Sequence, residues 1–228
     1  MTTQILTGKP IPEVDILFLG SPGVGKATFL SRLPHIRNGK LDLSAVPKDG
    51  RVFAPSGPLT FDVALYGRRY RFRIHASTST LFIDPFPPRP SFAIIAFSIP
   101  HRESLHNAQY YWRKQLSLHY HDLEHTMPVM LLGLKRDERT EERLETDTDT
   151  DTGSGSGGGS GGGSGRFKCV MPQEGLQAAQ EMRCDRYAEC SALTGELMFE
   201  VLEDITKTAA RTTTEAGGLS QNGSCDVM

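Results

Sequence analysis

No run of about 18 apolar residues occurs in the chain, and that is the minimum for a helix crossing a bilayer, so no membrane-spanning segment is expected. Charge of one sign is also missing. The 25 basic and 27 acidic side chains give a formal net charge of −2, so no global field recruits nucleic acid or anionic lipid. Cysteine is sparse: the four residues Cys169, Cys184, Cys190 and Cys225 form no C-x-x-C pair. The N-terminus lacks the charged-then-apolar form of a secretory signal. A reducing, cytoplasmic setting is the expectation.

What is present fits one domain with decorations, since 228 residues are ample for a sizeable core. Residues 14 to 20, "VDILFLG", are a short apolar run ending in glycine, the pattern of a buried strand. "KATFLSRL" then reads as a helix. Residues 34 to 58 are rich in Pro, Gly and charge without usable periodicity and are read as an irregular, mobile segment. "LTFDVAL" and "RYRFRIH" (59 to 65, 69 to 75) alternate as strands around a turn at "YGRR" and predict a hairpin. "SFAIIAFSI" (91 to 99) and "MPVMLLGL" (127 to 134) are continuous apolar runs of the buried parallel type. Between them a helix is predicted over "RESLHNAQYYWRKQLSL", with Leu105, Ala108, Tyr111, Trp112 and Leu116 at helical spacing. Later come a helix at "EGLQAAQEM", a short strand at "RYAECSA", and an amphipathic helix at "GELMFEVLEDITKTAA" with Leu197, Val201, Leu202 and Ile205 inward. Strands alternating with helices imply a parallel sheet covered on both faces.

Residues 145 to 165, "ETDTDTDTGSGSGGGSGGGSG", carry almost no apolar side chain and cannot build a core, so they read as a disordered insertion. The tail from Arg211 is polar and is expected to be unfolded. Its end, "CDVM", fits the C-a-a-X pattern for lipid attachment at Cys225. One lipid chain without a basic cluster gives only weak, reversible membrane contact.

The chemistry is concentrated in "GSPGVGKAT", residues 20 to 28. Gly20, Ser21, Pro22, Gly23, Val24, Gly25, Lys26, Ala27 and Thr28 follow G-x-x-x-x-G-K-[ST] except in the eighth letter. A strand, a glycine loop and a helix start aim backbone N–H groups at phosphate, and Lys26 adds a mobile positive charge. The hydroxyl that would ligate magnesium is replaced by the methyl of Ala27. Thr28 is no substitute, because the next residue on a helix points about 100° further round.

Downstream, "LLGLKRDER" (131 to 139) is similar to the guanine-base loop of Ras-like proteins, and "YAECSALT" (187 to 194) resembles the last base-reading segment of Rho and Rac GTPases. "FSIPHRESLHNAQYYW" and "MPQEGLQAAQEM" resemble further passages of that family. Over residues 12 to 210 the chain is thus identified as similar to a Rho/Rac-type small GTPase. The resemblance implies an α/β, P-loop NTPase (Ras-like) fold: a mostly parallel six-stranded sheet with one antiparallel edge strand and helices on both faces. It implies GTP/GDP as ligand, with Leu134, Lys135 and Asp137 together with Ser191, Ala192 and Leu193 around the guanine, Asp137 pairing with its N1–H and amino group. It implies protein effectors or regulators of Rho type and a part in small-GTPase signalling.

The same comparison shows what is lost. Working members end the third strand in D-x-x-G and a glutamine, which bridge to magnesium, sense the γ-phosphate and orient the attacking water. Here Ala76, Ser79 and Thr80 take those places. Residues 34 to 58 contain no threonine to complete magnesium coordination. Magnesium is left without its usual ligands at Ala27 and Ala76, and no catalytic residue is identified, Thr80 standing where the glutamine belongs. The expected function is guanine-nucleotide binding with slow or absent hydrolysis; the alternative is a pseudo-GTPase, a module that binds protein partners whatever the nucleotide. A phosphotransferase of another P-loop family is disfavoured by the base loops.

Two further constellations have simpler explanations. His119, His121 and His125 with Asp122 and Glu124 supply enough ligands for zinc, yet a solvated helix-to-strand loop needs such residues anyway. "YGRRYRFR" interleaves basic and aromatic residues with the period of a strand whose basic face points outward, which does not make a nucleic-acid surface.

Overall fold

The computed structural model describes residues 11–37, 40–42, 57–65, 68–77, 86–123, 126–140 and 168–212. Strand β1 (Glu13–Leu19) passes through the glycine loop into helix α1 (Lys26–Arg32) and a 3₁₀ turn at Leu33–His35. A short ribbon, β2 (Ile36–Arg37) with β3 (Lys40–Leu41), precedes β4 (Leu59–Leu65) and β5 (Arg68–Ala76). From β6 (Phe92–Ser98) the chain enters α2 (Arg102–Asn107), a π-helical stretch Ala108–Trp112 and α3 (Arg113–His119). Then follow β7 (Val129–Leu134), α4 (Pro172–Glu181), β8 (Arg186–Glu189) and α5 (Met198–Arg211).

Six strands form one sheet in the order β4-β5-β1-β6-β7-β8. β4 runs antiparallel to β5 and every other pair is parallel, the architecture the sequence resemblance implies. Every residue of β6 and β7 is buried, which is why these two read as unbroken apolar runs. In β1 the two faces split by alternation. Val14, Ile16 and Phe18 pack with Phe29 and Leu30 of α1 and with Val201, Leu202 and Ile205 of α5. Leu17 and Leu19 pack on the opposite face with Leu105, Trp112, Leu116 and the alanines of α4. Each fully buried side chain of this size contributes roughly 1.5–3 kcal/mol relative to exposure, so both layers are needed to hold the sheet.

The structure corrects three local expectations. Leu197 is not inward: it sits before α5 with φ 58° and is 39% exposed, and Met198 takes the buried place. A register read from periodicity alone misses such a left-handed step. The helix after β6 is interrupted by the π stretch. Within residues 34 to 58, the ribbon β2–β3 gives Ile36 and Arg37 partners in Leu41 and Lys40. The turn residues Tyr66 and Gly67, the insertion 145 to 165 and the tail beyond Thr212, including Cys225, lie outside the described residues.

On β5 the basic residues do point outward, but they are paired. Arg71 donates to Asp62 at 2.9 and 3.2 Å, and Arg73 to Asp15 at 2.8 and 2.6 Å. His75 reaches the same Asp15 at 2.8 Å. Burial raises the Asp15 pKa, while the hydrogen bonds and charges of Arg73 and His75 lower it more, leaving it below the ordinary 3.8. Asp15 therefore ionises more readily folded than unfolded. Its contribution to stability is present above about pH 4 and is lost as pH falls through the lowered folded value. Asp15→Asn is expected to cost on the order of 1 kcal/mol at pH 7 and to flatten the acid limb of urea-denaturation stability measured from pH 6 downward. An unchanged acid limb would contradict this.

Gly175, in the first half of α4, is explained by the ring of Tyr187. A Cβ there would lie 2.0 Å from the Tyr187 hydroxyl oxygen and 2.5 Å from Cζ. That hydroxyl donates to Glu189, which also binds Arg139 at 2.8 and 2.5 Å. Gly175→Ala gains about 1 kcal/mol of helix propensity but displaces the ring, so a net loss of about 1–2 kcal/mol is expected in chemical denaturation. A stabilised variant would sink this account.

Candidate nucleotide-binding site

The C-terminal ends of β1, β6, β7 and β8 bring their following loops to one edge of the sheet, where open α/β sheets hold ligands. β1 stops at Leu19 and the chain turns at Gly20, with φ 143°. A Cβ at Gly20 would stand 2.5 Å from the carbonyl oxygen of Ala96 in β6, so only glycine lets the loop start this close to the neighbouring strand. Gly25, with φ 113°, closes the loop onto α1, and Phe29 N–H returns to its carbonyl at 2.9 Å.

Lys26 is buried, and its ammonium donates to the carbonyls of Gly20 at 2.5 Å and Ser21 at 3.0 Å. The charge is thus held across the loop mouth. Ser77, just past β5, donates to the Gly20 carbonyl at 3.3 Å, and Trp112 donates from its indole N–H to Ser21 Oγ at 3.3 Å. Neither anchor was foreseen in the sequence. Trp112 looked like one more apolar helix position, and only its single polar atom hinted at a partner. Beside the loop lies a cavity of about 330 Å³ lined by Ser21 to Val24, Ser98, His101, Ser104 and Lys135, among others.

At the end of β7, Lys135 adopts φ 61°, ψ 45° and caps a 3₁₀ turn, Arg136–Glu138. Its Cε lies 3.9 Å from where a Gly25 Cβ would be, so the lysine stem bridges the two loops. Asp137 is exposed, and one carboxylate oxygen accepts Ser191 Oγ–H at 2.5 Å. The same Ser191 oxygen accepts the N–H groups of Leu193 at 3.2 Å and Thr194 at 3.0 Å. Ser191 is fully buried, which fixes the loop Ser191–Ala192–Leu193 against Asp137. Arg136 N–H donates to the Cys190 carbonyl at 3.2 Å, and Arg32 at the end of α1 donates to the Ala192 carbonyl at 3.2 Å. Burial, with the Glu189 charge adding to it, pushes the Cys190 thiol up to about 12, so this cysteine is a core group and not a nucleophile at neutral pH.

Residues expected around one ligand are therefore brought to one edge: Gly20 to Thr28, Leu134, Lys135, Asp137 and Ser191 to Leu193. A model of the Ras family matches residues 86–211, more than half of the chain. The chain belongs to the Ras family. The GTP-binding protein Rho2 of Saccharomyces cerevisiae is 30% identical to it over 124 residues, 54% of this chain and 54% of that protein. The match thus spans about half the length of that relative. The family match covers the base loops and begins downstream of the phosphate loop.

At two positions where the resemblance places magnesium ligands, the side chains are methyl groups. Ala76 ends β5 beside Phe18 of β1, its methyl packed toward the core, and Ala27 offers a second methyl at the start of α1. Neither supplies an oxygen. Among the described residues no cluster of three His, Cys, Asp or Glu stands ready to hold a metal. Ser79 and Thr80 lie outside the described residues, as do Glu124 and His125 of the histidine-rich stretch. Of that stretch, His119 bonds the Gln115 carbonyl at 2.9 Å and Asp122 approaches Arg89 at 3.8 Å, contacts that suit a surface loop.

Proposed function

We propose that this protein binds guanine nucleotide, GTP or GDP, between the phosphate loop Gly20–Thr28 and the paired base loops around Asp137 and Ser191, and hydrolyses GTP slowly or not at all. The observation that carries this reading is the Asp137–Ser191 contact. It aims a carboxylate outward from a buried serine anchor, beside a lysine whose stem reaches the glycine loop. A carboxylate there complements the two donors on the guanine edge and opposes the ring acceptor of adenine. Lys26 and the loop N–H groups would bind the phosphates. No residue at Ala27 or Ala76 offers metal-centred charge neutralisation. Signalling through effectors or regulators of Rho type, and weak reversible membrane contact from a cytoplasmic location if Cys225 is lipidated, belong to the same proposal.

The test is binding of fluorescent GTP, GDP and ATP analogues to the full chain with and without EDTA, with Lys26→Ala as control. Guanine-selective binding indifferent to EDTA and weakened by about a hundredfold or more in Lys26→Ala, which loses a charge-assisted phosphate contact, supports the reading. Magnesium-dependent turnover at ordinary GTPase rates would sink it. Absence of all nucleotide binding would favour the second reading, a pseudo-GTPase interaction module, which the missing metal ligands also allow.

A further inference from the structure

Trp112 is the one tryptophan in the chain and is 1% exposed. Its ring belongs to the apolar layer with Leu105, Ala108 and Leu116, with the Tyr111 ring edge-on at 5.1 Å. It ends the π-helical stretch Ala108–Trp112. A π stretch holds one residue more than an α-turn, re-aims the side chains around it and is found frequently at functional sites. Here the side chain at its end carries its indole N–H to Ser21 Oγ in the phosphate loop, 91 residues away, at 3.3 Å.

Ser21 is gripped twice, because its carbonyl also accepts Lys26 Nζ at 3.0 Å. Gly20 is gripped twice as well, by Lys26 at 2.5 Å and Ser77 at 3.3 Å. The entry of the loop is therefore shaped by protein donors from a helix, a strand end and the loop lysine. We propose that Trp112 is a positioning residue for the phosphate loop. Through Ser21 it holds the loop in its phosphate-receiving form and couples the α2–α3 face to the nucleotide site, a role that gains weight where Ala27 and Ala76 provide no metal-centred clamp. This inference rests on the nucleotide-binding reading above.

The test measures mant-GDP affinity of the full chain in EDTA for wild type, Trp112→Phe, Ser21→Ala, Ser21→Thr and the double variant Trp112→Phe/Ser21→Ala. Each single deletion of the bond is expected to raise Kd roughly two- to tenfold. The double variant is expected to be no weaker than the weaker single, because both delete one interaction, and Ser21→Thr, which keeps the hydroxyl, should restore binding. Tryptophan emission should change on GDP addition in wild type and lose most of that change in Ser21→Ala. Trp112→Phe also alters packing, so Ser21→Ala, with its core untouched, is the deciding variant. Wild-type binding with an unaffected Ser21→Ala, or fully additive losses in the double variant, would overturn the positioning role alone. A wild-type chain that binds no mant-GDP would overturn the nucleotide reading and this role with it.

Discussion

Asp137→Ala is expected to weaken guanine-nucleotide binding by about a hundredfold or more and to abolish preference over adenine, while leaving the chain folded. The side chain is exposed and gives one oxygen to Ser191, leaving acceptor capacity for the two donors on the guanine edge. Charge-assisted hydrogen bonds contribute about 1.5–3 kcal/mol each, and two of them convert to a factor of roughly 10² to 10⁴ in Kd. Folding should be spared, because Ser191 Oγ still accepts from Leu193 and Thr194 and its hydroxyl proton can turn to water or to a neighbouring carbonyl. The check is competition of GDP and ADP against a fluorescent nucleotide, with a thermal melt alongside. Retained guanine selectivity in a folded Asp137→Ala protein would mean that the base is read elsewhere or not at all.

Gly20→Ala carries the largest expected stability effect. The new Cβ would lie 2.5 Å from the Ala96 carbonyl oxygen, with φ at 143°. Backbone cannot swing aside as a long side chain does, so either β1 and β6 separate or the loop changes path. Strain at such a φ costs about 1–3 kcal/mol and overpacking a similar amount, giving a loss of roughly 2–6 kcal/mol against a typical total of 5–15 kcal/mol. Gly23→Ala is the matched comparison. At φ 79° it meets nothing within 4 Å, so only conformational strain of about 1–2 kcal/mol applies. Urea denaturation of the two variants should rank them clearly, and equal midpoints would show that the approach to Ala96 is not the constraint described here.

Much of the fold was legible because its signals are local. The apolar runs at 91–99 and 127–134 announce strands covered on both faces, since parallel strands buried between helices need no polar alternation. The alternation at 59–65 and 69–75 announces a hairpin with one outward face, and the antiparallel pairing and the ion pairs on that face confirm it. Local signals failed where the backbone leaves its regular period. Leu197 turns left-handed and Met198 takes its buried place while Val201, Leu202 and Ile205 stay inward. The helix after β6 contains a π stretch across which Leu105, Ala108, Trp112 and Leu116 still share the core face.

By itself the sequence determined the order of elements and the letters of the glycine loop, Ala27 among them, because each depends on residue type and short spacing. Only the tertiary structure decided which distant groups meet. Asp137 and Ser191 are 54 residues apart and share a hydrogen bond, Trp112 and Ser21 are 91 apart, and Phe18 faces Ala76 through parallel pairing. Periodicity tells each side chain which face it occupies and nothing about its partner there. Partners follow from the crossover topology, which lines up the ends of β1, β6, β7 and β8 and so turns separate loops into one site.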